Sequence, residues 1–133
     1  MNNVDKNKIM EIINNGNVTI MNEYAENLAK QYAPQEDREK KFKLTASQIR
    51  NILDDVQRMD KKAVGVRKHE LLRPKLAYIA GRSDKNNYAI RELKEILDIA
   101  IRSIGDDYKK FENFRNFLEA IVGYHKFYSQ VRE

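Results

Sequence analysis

The sequence predicts an all-α protein, a single-domain bundle of about five helices. Pro occurs only twice and Gly five times in 133 residues. No segment alternates with period two beyond a few residues, whereas apolar residues recur at spacings of three and four. A chain of this length fits one compact domain with one continuous core. Residues 1–16 read as a loosely packed N-terminal part of that domain.

The elements follow in order. A short helix is expected around Asp5–Ile13, and Asn14-Asn15-Gly16-Asn17 is a turn signal. From about Thr19 to Tyr32, one helical face carries Ile20, Tyr24, Leu28 and Tyr32, and Pro34 ends it. Gln35–Lys43 is polar apart from Phe42 and reads as a loop or a frayed helix end. Thr45 with Gln48 forms a capping box, and Leu44 is placed to staple onto Ile49. The stripe Ile49, Ile52, Leu53, Val56, Met59 then faces a core along a helix at 45–61, and Gly65 breaks the pattern. Leu72, Leu76 and Ile79 mark a helix over Leu71–Ala80, with Pro74 in its first turn and Gly81 as a left-handed C-cap. Ser83 or Asp84 is expected to cap the next helix, whose stripe is Ile90, Leu93, Ile96, Leu97, Ile101, Ile104. Gly105 stops it. Asp106 is expected to cap a last helix bearing Phe111, Phe114, Phe117, Leu118, Ile121, Val122 and Tyr128.

Composition excludes several classes. There is no cysteine, which removes disulfides and thiolate metal sites. No apolar run approaches the ~18 residues of a membrane helix. The N-terminus MNNVDKNKIMEII lacks the apolar region of a secretory signal, so a reducing cytoplasm is the expected address and no membrane partner is expected.

Charge is informative because it is localised. The window Lys61–Arg82 holds seven cations and one anion, while the remaining 111 residues hold 18 cations and 19 anions. The formal +5 of the chain therefore resides in about a sixth of it, and its natural partner is a polyanion such as a nucleic-acid backbone. Arg73 and Lys75 flank Pro74, Arg82 follows Gly81, and Arg50 borders the Ile49 stripe. Lys40, Lys41 and Lys43 precede that helix. If the helices at 45–61 and 71–81 pack side by side, these cations line one ridge suited to phosphates. The competing assignment pairs Arg73 and Arg82 with Glu70 and Asp84 and leaves the rest as a solvated face. Tyr78 is a core or interface residue, or else a stacking platform for a base.

No enzymatic constellation emerges. The adjacent pairs Asp54-Asp55 and Asp106-Asp107 are the candidates for metal binding, and adjacent helical residues point about 100° apart. Ser47 lies in the first turn of a capped helix with no histidine nearby in sequence. His69 and His125 are far apart, and no Gly-rich phosphate loop is present. No catalytic residue, metal or cofactor is expected.

At these residues the chain resembles a known family. LTASQIRNIL (Leu44–Leu53) and LRPKLAYIAGR (Leu72–Arg82) are similar to the two signature segments of the small subunit of type III-A CRISPR–Cas (Csm) effector complexes. The last helix, FENFRNFLEAIVGYHKFY, is similar in character. The resemblance covers about Lys43 to Tyr128. It implies a noncatalytic helical subunit that stacks in several copies beside the backbone subunits, contacts the guide and target RNA, and bridges toward the large subunit in antiviral defense. Carried over residue by residue, Arg50, Arg73, Lys75 and Arg82 become RNA-binding candidates, with Lys43 just outside the first motif. Two other classes stay open: a helical DNA-binding regulator, and a structural adaptor that binds no nucleic acid. Against the regulator, the linker Lys62–Glu70 exceeds the usual three- or four-residue turn, and the second helix is largely apolar.

Overall fold

The computed structural model describes residues 2–132, and helix accounts for 76% of them. Among the described residues there is no strand, and the α-helices number seven, not about five. They are α1 (Lys6–Asn15), α2 (Val18–Tyr32), α3 (Ala46–Gln57), α4 (Lys61–Gly65), α5 (Leu72–Arg82), α6 (Tyr88–Ile104) and α7 (Tyr108–Tyr128). Short 3-10 turns lie at Asp37–Lys41 and Lys68–Leu71.

The organising element is α7. It packs along α2 and also meets α1, α3, α4 and α6, while α5 is held between α3 and α6. Four aromatic or aliphatic positions explain its place: Phe111, Phe114, Phe117 and Ile121 are fully buried at helical spacing. Tyr24 of α2 stacks on Phe117 with ring centroids 5.7 Å apart. Truncating Phe114 or Phe117 to Ala is expected to cost about 3–5 kcal/mol.

The N-terminal segment is not loosely packed. Ile9, Ile12 and Ile13 are buried in the same cluster as α6 and α7. The apolar spacing on this short helix is enough to seat it once Gly16 turns the chain at φ 65°. A polar latch adds to it. Glu92 of α6 accepts hydrogen bonds from the Asn3 backbone N at 3.0 Å, the Asn3 side chain at 2.7 Å and the Tyr32 hydroxyl at 2.5 Å. Burial works to raise this carboxyl's pKa, but the donors, Tyr32 foremost, hold it below its usual range. Burial also pushes the Tyr24 hydroxyl up to about 12, so it remains a donor, here to the Asn3 carbonyl at 2.6 Å.

Helix starts follow side-chain chemistry, with shifts from the sequence expectation. Thr45 and Gln48 form the full capping box. Asn87, not Ser83 or Asp84, caps α6 by accepting from Ile90 N at 3.1 Å. Its side chain also donates to the Lys43 carbonyl at 3.1 Å, an attachment across the fold that a local reading does not contain. Asp107, not Asp106, caps α7, accepting from Lys109 N and Lys110 N.

The segment at 45–61 divides. α3 ends at Gln57, and Asp60 starts a separate helix by accepting from Ala63 N at 2.9 Å. Gly81 is not a left-handed cap, because α5 runs through it to Arg82 before Ser83 leaves the helix in extended geometry. The Ser83 hydroxyl donates to the Ile79 carbonyl at 2.9 Å and so satisfies the end that Gly81 was expected to close.

Candidate nucleic-acid interface

α3 and α5 do pack side by side, so the cations of the two motifs share one region. They do not share one role. Arg73, at the start of α5, donates from Nε to Asp98 at 2.8 Å and from Nη1 to Glu70 at 3.0 Å. Those two carboxylates, Asp98 first, hold its guanidinium still more firmly protonated than usual. Lys75 donates to the Asp55 carboxylate and reaches the Asn51 carbonyl at 3.4 Å, which ties α5 to α3. Lys43 donates to the Gln31 carbonyl at 2.8 Å, at the end of α2. All three join elements of the bundle.

Arg50 and Arg82 differ. Both are exposed, and among the described residues neither has a carboxylate within ion-pair distance. Arg82 does not pair with Asp84. Its guanidinium lies over the Tyr78 ring, 5.7 Å from the centroid, and Tyr78 is 64% exposed. An aromatic face beside a planar cation, both open to solvent, is a surface on which a base and its phosphate can be met together.

Two grooves flank the first turn of α3. One lies against the end of α5, has a volume of about 370 Å³, and is bordered by Gln48, Asn51, Tyr78, Arg82 and Ser83. Its floor is set by a hydrogen bond of 3.0 Å from the Gln48 side chain to the Ser83 hydroxyl. The other lies against the end of α7, has a volume of about 680 Å³, and is bordered by Arg50, Lys126, Ser129 and Arg132. Ser47 borders both, and among the described residues no Asp or Glu borders either. Lys126 and Arg132 were not singled out from the sequence. They lie far from the charged window, and only the packing of α3 on α7 brings them beside Arg50.

Three of the residues weighed for catalysis, Asp55, Asp107 and His125, have other uses. Asp55 receives Lys75 and lies 3.8 Å from Arg58, and Asp107 is a cap. His125 is buried, with Nε2 2.6 Å from the Leu44 carbonyl. His69 is buried against Phe111, with ring centroids 5.9 Å apart, and neither ring nitrogen has a hydrogen-bond partner among the described residues. The Gly105 backbone comes near His69 without completing a bond, and burial lowers the imidazole's pKa. Among the described residues no three His, Cys, Asp or Glu side chains converge as a metal site. No helix among them is long and apolar enough to cross a membrane.

A protein-family model described as Csm2 Type III-A matches residues 17–131, which takes in both signature segments and all of α7. The chain belongs to the type III-A Csm2 family. It is a CRISPR-associated small subunit of the Csm complex, and its helical bundle agrees with that membership. No curated protein and no solved structure matches this Csm2-family chain. The family match begins at Asn17, the N-cap of α2, and leaves α1 outside it.

Proposed function

We propose that this Csm2-family subunit is a noncatalytic RNA-backbone-binding and assembly component of the cytoplasmic interference complex. Its partners are the guide and target RNA, the backbone and large subunits, and further copies of itself. The observation that carries the reading is the pair Arg50 and Arg82. They stand exposed on the two sides of the first turn of α3, bordering grooves in which no carboxylate is found among the described residues. Guanidinium groups placed there meet phosphate oxygens without reading base edges, so binding is sequence-blind.

Of the five basic candidates, Arg73, Lys75 and Lys43 serve the bundle first, through Asp98, Glu70, Asp55 and the Gln31 carbonyl. Arg50 and Arg82 carry the RNA contact. Exposed Phe127, Leu71 and Val66 supply apolar surface for neighbouring subunits. Asp55 receives Lys75 and Asp107 caps α7, which supports a role without chemistry of its own.

The test is target-RNA binding by the reconstituted complex, with the wild-type subunit against Arg50→Glu and Arg82→Glu. The reading predicts weaker binding to unrelated target sequences alike, with assembly intact. Unchanged affinity in variants that fold and assemble normally would refute it.

A further inference from the structure

Four cations of the charged window have no part in the RNA contact and stand together just before α5. Lys61, Lys62, Arg67 and Lys68 are exposed, and among the described residues none has an ion pair. Two aliphatic side chains stand among them, Val66 at 67% and Leu71 at 68% exposure. We propose that this knob docks, in a second copy of the chain, into the groove between α2 and the end of α7, so that copies stack head to tail. The proposal rests on the reading that the complex holds several copies, and it names the surfaces by which they meet.

The knob is built to project. Arg67 has φ 60° and is the only non-glycine residue with positive φ among the described residues, a conformation that costs about 1 kcal/mol or more. It turns the chain between α4 and the 3-10 turn, so Val66, Arg67 and Lys68 are exposed while Val64 and His69 on either side are buried. The carboxylates of the segment have other partners: Asp60 caps α4, and Glu70 accepts from Arg73. The groove is complementary. It has a volume of about 520 Å³ and is lined by Asn22, Glu26, Ala120, Gly123, Tyr124 and Phe127. Phe127 is exposed, and a Cβ added at Gly123 would meet nothing within 4 Å, so the apolar lining is unfilled. Glu26 supplies its charge, exposed Glu23 lies one turn earlier on α2, and exposed Glu119 precedes Ala120. Lys30 and Lys126 lie outside this lining, over the Tyr128 ring and beside Arg50 respectively. An apolar centre edged by carboxylates matches an aliphatic pair ringed by ammonium and guanidinium groups.

Their positions make the contact repeat. His69, beside the knob, packs on Phe111 near the start of α7, and Gly123 lies about 18 Å further along that helix. Two unlike surfaces at separate ends of one helix make a heterologous contact, which need not close after two copies. Each stack then ends in one free knob and one free groove. A nucleic-acid backbone would use the cations but has no place for two exposed aliphatic side chains, so a protein surface fits the knob better.

The test is cross-linking within the reconstituted complex, with copies counted by native mass spectrometry. The chain has no cysteine, so introduced thiols report one contact. Gly65→Cys stands beside Val66 and Asn22→Cys on the groove edge, and both positions are exposed. With a short bis-maleimide, the chain carrying both substitutions should give covalent dimers of the 15.7 kDa subunit, and each single variant should stay monomeric. Adding Val66→Glu or Gly123→Leu should cut the dimer yield roughly tenfold. Gly123→Leu replaces a poor helix former on an open face, so the melting temperature should not fall. Dimers from either single variant alone would show a two-fold contact and overturn the proposal. A yield unaffected by Val66→Glu and Gly123→Leu would overturn it as well. If the complex holds two or more copies and the doubly substituted chain gives no dimer, the proposal falls and the reading of several copies stands. If the complex holds a single copy, both fall. If Arg67→Glu/Lys68→Glu weakens target-RNA binding and leaves the dimer yield unchanged, these cations serve the RNA and the knob is misassigned.

Discussion

The two ends of α5 use their cations in opposite ways. At the start, Arg73 and Lys75 are held by Asp98, Glu70 and Asp55, and the bonds run to α6, to the preceding 3-10 turn and to α3. At the end, among the described residues, Arg82 has only the Tyr78 ring for company and faces a groove without acids. One sequence motif of eleven residues supplies both. A cluster of positive charge in a sequence is therefore a supply of cations, and the fold decides which remain available. Carboxylates from distant segments neutralise those that hold helices together. The remainder can meet a ligand.

The largest expected effect separates the two ends directly. The double variant Arg50→Glu/Arg82→Glu should reduce affinity of the assembled complex for target RNA by about a hundredfold at low salt, with the log–log salt slope smaller by about two units. The melting temperature of the subunit should stay unchanged, because among the described residues neither side chain bonds to another element of the bundle. A comparable fall in melting temperature would show that these arginines are structural.

The paired end should respond in the reverse sense. Asp98→Ala, which removes one of the two carboxylates on Arg73, should lower the melting temperature by roughly 2–5 °C. RNA affinity per folded molecule should not weaken. Thermal melts and titrations on the same preparation make the check, and a loss of affinity without a loss of stability would place Arg73 on the RNA.

The paired end also carries the acid-sensitive group. His69 lies in the turn just before α5, with Glu70 favouring its charged form and Arg67 opposing it, and burial is the largest influence. Its folded pKa is depressed, so the neutral form suits the fold. Its contribution is present in full above the unfolded value of about 6.5 and is lost as pH falls below it. Denaturant unfolding between pH 7.5 and pH 5.5 should therefore show falling stability, and His69→Leu should flatten that dependence. A wild-type stability that rises toward pH 5.5 would contradict the depressed pKa.

The smallest effect tests how Arg82 is presented. Tyr78→Ala removes the ring beneath the guanidinium and should weaken RNA binding about two- to fivefold, the size of an exposed cation–π contact. The salt slope should be unaltered, since no charge is lost. A slope change would mean that Arg82 itself had moved away from the phosphates.

Much of the fold was legible because it depends on local chemistry. The Thr45–Gln48 capping box, the Tyr24 and Phe117 positions, and the stop at Gly105 each follow from residues a few places apart. The misplaced features depend on contacts across the fold. Asn87 outcompetes Ser83 and Asp84 as a cap because it is also bonded to the Lys43 carbonyl, and Ser83 is occupied by Ile79 and Gln48. The same distinction governs the site. Arg50 and Arg82 stood out from their motifs, and Glu70 was named as a partner for Arg73. Asp98, which completes that pairing, lies 25 residues away on α6. Lys126 carries no local mark at all, and only the meeting of α3 with α7 brings it beside Arg50.

The central claim is that the two ends of α5 differ in whether their cations are free for RNA. The most direct measurement is the salt dependence of target-RNA affinity for reconstituted complexes carrying Arg82→Gln or Lys75→Gln. Each variant removes one positive charge and adds no negative one. Arg82→Gln should flatten the log–log slope by about one unit, and Lys75→Gln should leave it at the wild-type value. Equal slopes for the two variants, or a loss confined to Lys75→Gln, would contradict the account.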